Sequence, residues 1–280
     1  MSENLKINSI NVDRIEVAYT NKKVIEGLSI NIPAQKITTI IGPNGCGKST
    51  LLKAMGRIIG VEKGSICLDC KDIHKLSTRE LAKKLAILPQ SPAAPEGMTV
   101  EELVSYGRFP YQSGLGRLKK EDESIINWAI EATNLTGLND RAVESLSGGQ
   151  RQRVWIAMAL AQQTGIILLD EPTTYLDMAY QLEVLELLDE LNKQHECTIV
   201  MVLHDINLAA KFADFLIAIK DGKIISAGSP YEVMTKDVLR DVYNIDANIV
   251  ADECFKHPVC MSYQLLTKRK PAGQTVLRGA

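Results

Sequence analysis

Nine residues, GPNGCGKST at 42 to 50, constrain this chain more than any others. They follow a short apolar run, KITTII, and lead into STLLKAMGRII, whose apolar residues recur at helical spacing. A glycine loop between a buried strand and a helix is the context in which main chain cradles phosphate. Gly42, Gly45 and Gly47 let backbone N–H groups approach phosphate closely. Lys48 supplies a point charge to the β- and γ-phosphates, and the Ser49 hydroxyl is a magnesium ligand. The expectation is a bound nucleotide in an α/β chain.

A second anion site follows about a hundred residues later. SLSGGQRQR, at 145 to 153, opens an apparent helix, RQRVWIAMALAQQ, with a serine and two glycines. Free N–H groups at such a helix start attract anions. Other candidates stand at strand ends. IILLDE closes a buried run on Asp170, a candidate for holding Mg²⁺, and Glu171, a candidate base for an attacking water. His204 closes TIVMVLH. If that strand lies parallel beside the Asp170 strand, His204 faces the same crevice, within reach of a γ-phosphate. Gln90 ends LAILPQ, where its amide can touch metal or water, and Tyr19, ending the first strand group, offers an aromatic face for a base.

The pattern around these residues is mixed α/β. Residues 5 to 35 alternate like antiparallel strands, residues 91 to 150 read as a helical insertion, and the α/β pattern then resumes. Within the insertion, Thr99 and Glu102 form a capping-box pattern opening VEELVSYGRF, and 119 to 138 looks helical. FLIAIKDGKIISAG reads as a hairpin turning at Asp221-Gly222. Residues 229 to 280 form a weakly patterned appendage. Its basic run, Lys268 to Lys270, sits beside Pro271 and Gly273 and reads as a solvated tail. Length and composition (280 residues, 45% hydrophobic, net charge -2) suit a globular chain with ample core and no basic field for nucleic acid. No apolar run approaches the ~18 residues of a membrane span, and the N-terminus lacks a signal-peptide pattern. A cytoplasmic protein is expected, held at any membrane by a partner. Cys67 and Cys70 lie far in sequence from Cys254, His257 and Cys260, which favours buried or half-buried thiols over a metal site.

Taken in order, these motifs resemble the nucleotide-binding subunit of an ABC transporter over roughly residues 5 to 228. Gly42, Pro43, Asn44, Gly45, Cys46, Gly47, Lys48, Ser49 and Thr50 match Walker A, and Gln90 matches the Q-loop. Leu146, Ser147, Gly148, Gly149 and Gln150 match the LSGGQ signature, and Ile166 to Asp170 match Walker B with Glu171 as catalytic acid. Leu176-Asp177 match the end of the D-loop, His204 the switch histidine and Tyr19 the adenine-stacking aromatic. Tyr175 departs from the small residue many relatives carry in the D-loop.

The resemblance implies a RecA-like P-loop NTPase core with an N-terminal antiparallel β-subdomain and an inserted α-helical subdomain. ATP and Mg²⁺ are the implied ligands, with Ser49, Gln90 and Asp170 around the metal. Glu171, His204, Lys48 and Gln90 are the implied catalytic groups. It also implies a head-to-tail homodimer in which Ser147 to Gln150 and Asp177 meet the nucleotide of the partner copy. This answers why one chain carries two anion sites.

Within the family, LAKKLAILPQSPAAPEGMTVEELVSYGRFPYQS, VLHDINLAAKFAD and DECFKHPVCMSY resemble the iron-siderophore, haem and vitamin B12 uptake branch. That branch implies membrane permease subunits, an extracytoplasmic substrate-binding protein and a peripheral place on the cytoplasmic face of the membrane. A permease helix would dock in the stretch after Gln90, in a groove shaped by Pro92, Pro95 and the helix from Val100. Iron-siderophore is the leading cargo, with haem, B12 or another metal chelate as the alternative. A non-transport ATPase acting on DNA or ribosomes would need a coiled-coil insertion, tandem cassettes or a basic face. A regulatory switch without turnover would be expected to lack Glu171 or His204.

Overall fold

The protein is described here from a computed structural model. It covers residues 9–20, 22–112, 118–252 and 256–266. The chain opens with β1 (Ile10–Tyr19) and β2 (Lys22–Ile32), then β3 (Ile37–Ile41) and α1 (Lys48–Met55). Next come β4 (Lys63–Leu68), β5 (Lys71–Asp72), α2 (Thr78–Ala82) and β6 (Leu85–Leu88). The helical stretch holds α3 (Val100–Ser105), a 3₁₀ turn over Tyr106–Tyr111, α4 (Lys120–Ala132) and α5 (Gly148–Ala161). Then follow β7 (Ile166–Asp170), α6 (Met178–His195), β8 (Thr198–Val202), α7 (Ile206–Phe212), β9 (Phe215–Lys220) and β10 (Lys223–Gly228). The chain continues through α8 (Pro230–Val233), α9 (Lys236–Tyr243), β11 (Ile245–Asp252) and β12 (His257–Leu265).

The centre is a six-stranded sheet in the order β10-β9-β3-β8-β7-β6, parallel except for the β9–β10 hairpin. Its strands are covered on both faces, so they read as unbroken apolar runs. Ile167, Leu169, Ile199 and Met201 point into one core with the helical stretch, α6 and α7. Ile166, Leu168, Val200 and Val202 point into the other, with α1 and the antiparallel sheet. That second sheet has the order β2-β1-β4-β5. Along β1, Ile10 and Val12 are buried, then Ile15 and Val17, so the alternation slips by one residue. The register shifts at the same place, where Arg14 takes φ +45. A bulge thus keeps both halves of the strand facing the core.

The expected helix over 119–138 is realised as α4, ending at Ala132. The expected capping box exists. Thr99 Oγ1 accepts from the Glu102 N–H (3.2 Å), and the Glu102 carboxylate accepts from the Thr99 N–H (2.8 Å). The helical body does not stop near 150, because α5 packs against both α3 and α4. A buried Arg108 binds this body together. Its Nε donates to Asp122 at 2.8 Å on α4, its Nη1 donates to the Ala161 carbonyl at 2.8 Å on α5, and its guanidinium lies 4.0 Å over the Tyr111 ring.

At the β9–β10 turn, Asp221 and Gly222 both take positive φ, +48 and +73, as a tight I′ hairpin requires. Residues 229 to 266, read from sequence as weakly patterned, hold two short helices and the β11–β12 hairpin. The local signal was present: Ser229, Pro230 at the first helical position and Glu232 form a capping box. Cys46, Cys197 and Cys260 are buried and Cys67 half-buried as expected, whereas Cys70 is exposed. Cys254 and residues 268 to 273 lie outside the described residues. Among the described residues, no helix is long and apolar enough to cross a membrane.

Candidate functional site

β3 delivers the glycine loop to the C-terminal edge of the sheet, between β9 and β8. Gly42 must be glycine, because at φ +151 a Cβ would collide with the Ile219 carbonyl oxygen. Gly47 caps α1 with φ +108 and no side-chain hydrogen bond, so the first N–H groups of α1 stay uncapped. The Lys48 ammonium, 5% exposed, curls over the loop and donates to the Gly42 carbonyl at 2.8 Å and the Pro43 carbonyl at 3.0 Å. The loop therefore joins fixed positive charge to open main-chain donors, as an anion cradle requires.

A cavity of about 460 Å³ opens in front of it. One wall is the loop, through Asn44, Gly45 and residues 47 to 50, with Val24 of β2 beside it. The opposite wall is Gln90, Glu171 and His204. These three come from loops just past β6, β7 and β8, so Gln90 and His204 each stand two residues beyond the strands they were expected to end. β7 and β8 pair in parallel as expected, with Asp170 opposite Val202. This register carries Glu171 and His204 to the same edge.

The polar groups in this crevice are wired to one another. Ser49 Oγ donates to Asp170 Oδ1 at 2.7 Å. Asp170 is 2% exposed, and its second oxygen, Oδ2, is buried without a hydrogen-bond partner. Burial pushes the Asp170 carboxyl above the usual carboxylate range, against the lowering effect of the Ser49 hydroxyl and nearby lysines. Glu171 sits at φ +54 directly after the strand, a conformation that costs energy in a non-glycine residue. Its carboxylate meets His204 Nε2 at 2.6 Å, accepts from Thr174 Oγ1 at 3.0 Å and accepts from the Gln90 amide. Thr174 was not singled out from sequence. Its signal was its position three residues after the acid.

Other candidates stand elsewhere. Cys46 is buried in the core below the loop and does not line the cavity. Tyr19 ends β1 at 45% exposure but does not line the cavity. Asp177 caps α6, accepting from the Tyr180 N–H at 3.1 Å. The signature residues Ser147 to Gln150 form the start of α5 and do not line the cavity either. Ser147 and Gln150 cap each other: Ser147 Oγ accepts from the Gln150 N–H at 3.3 Å, and Gln150 Oε1 accepts from the Ser147 N–H at 3.1 Å. A Cβ on Gly148 would touch Leu176, and one on Gly149 would press within 2.9 Å of the Tyr180 ring. The signature helix and the 175–180 segment thus form one block. From it Tyr175, at φ +66, and Met178 project 90% and 82% exposed.

With this geometry in view, the relatives are informative. The sequence profile described as ABC transporter matches residues 25–174. The iron(3+)-hydroxamate import ATP-binding protein FhuC of Bacillus subtilis (strain 168) is 56% identical over 264 residues, covering 94% of this chain and 98% of that protein. The ferric enterobactin transport ATP-binding protein FepC of Escherichia coli (strain K12) is 44% identical over 240 residues, covering 86% and 89%. A solved inward-facing structure, titled as a metal-chelate type ABC transporter, superposes with TM-score 0.79 at 27% identity, covering 93% of this chain and 98% of that one. A dimeric post-hydrolysis structure of the ATP-binding cassette MJ0796, bound to ADP and Pi, superposes with TM-score 0.68 at 28% identity, covering 79% and 98%.

Proposed function

The chain belongs to the ABC transporter family as an ATP-binding, ATP-hydrolysing subunit, and from that premise we propose that it powers import of an iron-siderophore complex. The convergence of Ser49, Asp170, Glu171 and His204 at the mouth of the glycine loop carries the catalytic part of this reading. The 56% identity to an iron(3+)-hydroxamate import ATP-binding protein carries the cargo part.

The proposed chemistry follows from the crevice. The triphosphate lies on the N–H groups of residues 44 to 50, and Lys48 exchanges its two carbonyl partners for phosphate oxygens. Glu171 orients the attacking water and takes its proton, a role worth roughly 10²–10⁴-fold in rate. His204, 2.6 Å from that carboxylate, contacts the γ-phosphate and holds Glu171 in line. The residues fit a magnesium ion: a hydroxyl, a buried carboxylate oxygen without a partner, and a charge held at a cost until a cation arrives. Ser49 and Asp170 would hold it, with Gln90 close by, and the metal would neutralise charge on the β- and γ-phosphates. Tyr19 stacks on the adenine.

The signature residues complete the site of a second copy. Ser147, Gly149 and the start of α5 add donors to the partner's γ-phosphate, and Asp177 lies at the same seam. Their absence from this chain's own cavity supports that arrangement, as does a dimeric cassette among the structural neighbours. ATP then joins the two copies and hydrolysis releases them, a switch driven by contacts present in only one state. Permease subunits dock in a groove shaped by Pro92, Pro95 and the helix that begins at Val100; Tyr106 and Phe109, in the turn after that helix, stand 55% and 75% exposed. The complex includes an extracytoplasmic substrate-binding protein, with this subunit on the cytoplasmic face of the membrane.

The test is uptake of labelled ferric siderophores, haem and vitamin B12 by cells whose only copy is wild type or Glu171→Gln. Selective loss of ferric-siderophore uptake in the variant is expected. Loss confined to haem or B12 would reassign the cargo, and unchanged uptake of all three would remove the reading.

A further inference from the structure

The ring of His204 is held by Glu171 at 2.6 Å, and its main chain is tied to the sheet through its neighbour, the Leu203 N–H donating to the Ile40 carbonyl at 3.3 Å. From there the chain turns straight into α7. Asp205 caps that helix, its Oδ1 accepting from the N–H groups of Asn207 at 2.8 Å and Leu208 at 2.9 Å. On its C-terminal side, the main chain of His204 is therefore set by where α7 is anchored.

Beside the core packing of Ala209, Ala210 and Phe212, one anchor is a pair of hydrogen bonds to the C-terminal hairpin. Asn207 Nδ2 donates to the Cys260 carbonyl at 3.1 Å, and the Cys260 N–H donates to Asn207 Oδ1 at 2.8 Å. One side-chain amide thus satisfies both main-chain groups of a residue on β12, as a neighbouring strand would. Cys260 itself is buried, in the same core cluster as Ala209 and Ala210 of α7. The β11–β12 register shifts at this point, between Asn248 and Ile249, so the hairpin is shaped locally where the amide meets it. Both hydrogen bonds are partly buried, and losing the amide would leave the main-chain groups of the buried Cys260 without that partner.

We propose that Asn207 is a positioning residue for His204, and that the β11–β12 hairpin is the fixed stop against which the His204 loop is set. The proposal rests on the reading of His204 as a γ-phosphate contact. It gives residues 245–265, beyond the family-profile match, a part in turnover without touching nucleotide. Asn207 acts at the transition state through His204 and Glu171, while the glycine loop that binds ATP is left as it was. The signature is a fall in kcat with little change in KM.

The experiment is a double-mutant cycle on the full-length chain, with steady-state ATPase measured for wild type, Asn207→Ala, His204→Ala and the double variant. Asn207→Ala is expected to lower kcat about 5- to 20-fold with KM for MgATP unchanged, since two partly buried hydrogen bonds are lost. In the His204→Ala background the same substitution is expected to add less than about twofold, the coupling of residues that act as one unit. Asn207→Asp keeps the size and the acceptor but turns an oxygen toward the Cys260 carbonyl. It should lower kcat in the same sense, and it serves if the alanine variant fails to fold. Wild-type kcat in the folded Asn207 variants would overturn the proposal. So would an equal loss with and without His204, or a loss confined to KM. Wild-type turnover in His204→Ala would remove the reading of His204 itself, and is told apart because it needs no Asn207 variant.

Discussion

Two helix starts in this molecule use the same physics in opposite ways. The start of α1 is capped by Gly47, which offers no side-chain acceptor, so its N–H groups stay open beside Lys48 and the cavity. The start of α5 caps itself, Ser147 and Gln150 each satisfying the other's main-chain donor, and it lies off that cavity. The first is preorganised for an anion within one chain. The second satisfies the Ser147 and Gln150 N–H groups itself and leaves those of Gly148 and Gly149 to give, away from this chain's own cavity. Sequence similarity between two glycine-rich helix starts therefore says little about which is ready to bind. What differs is the setting: a lysine and a cavity stand at the α1 start, and the α5 start lies off that cavity.

The largest test of this contrast is at the acid facing α1. Glu171→Gln should cut ATP hydrolysis by about 10²–10⁴-fold while ATP binding, followed by fluorescent nucleotide titration, stays near wild type. Equal loss of binding would mean that the two walls of the cavity are not separable. Next, Ser147→Arg should leave binding to the isolated chain intact and reduce turnover by about 10²-fold or more, as for loss of a transition-state donor. Persistent turnover would show that the start of α5 does not serve a nucleotide.

Arg108→Ala attacks the frame that carries α5. It would leave Asp122 buried and unpaired, and truncating one partner of such a pair costs about 3–5 kcal/mol, read as a drop in urea midpoint. Nucleotide titration should still show binding, because α1 belongs to the other core.

Asp170→Asn should move stability the other way. The folded chain holds the Asp170 proton more tightly than the unfolded chain does. Stability therefore falls as pH climbs from the ordinary carboxylate range through the raised value, and the penalty is complete at neutral pH. Removing the charge should stabilise the magnesium-free protein by about 1 kcal/mol, seen as a higher melting temperature, and abolish hydrolysis. The gain should vanish at a pH below the unfolded carboxylate range, where both states are protonated. The smallest effect is expected at Tyr175. Its φ of +66 is strained and its side chain is 90% exposed, so Tyr175→Gly relieves strain without losing packing. A net gain of roughly 0.5 kcal/mol by denaturant unfolding is expected after glycine's entropy cost.

Much of this was legible from sequence because the signals are local. The strand–loop–helix at 37–55, the Thr99 capping box, the Asp221-Gly222 turn and the buried runs at 166–170 and 198–202 depend on neighbours a few residues away. Other features were not legible, because they depend on distant partners. β4 pairs with β1 across some fifty residues, which a single apolar run does not announce. The β11–β12 hairpin has a mixed pattern, broken by a register shift and by outward-facing Met261, Tyr263 and Leu265. Asn207 reads in sequence as one more polar residue on a helix, and only its distance to Cys260 gives it a role.

By itself the sequence determined the chemistry available: which residues could cradle phosphate, hold a cation, or carry a proton. Those capacities belong to residue types at short spacings, where backbone sterics and side-chain pKa leave few options. Only the tertiary structure decided which of them meet. The parallel register of β7 against β8 brings Glu171 to His204, and the open cap of α1 faces them both. The self-cap of α5 is turned away from that crevice, and the C-terminal hairpin is fastened behind α7. The physical reason is that these contacts are set by packing two cores against one sheet, a long-range property that no local window contains.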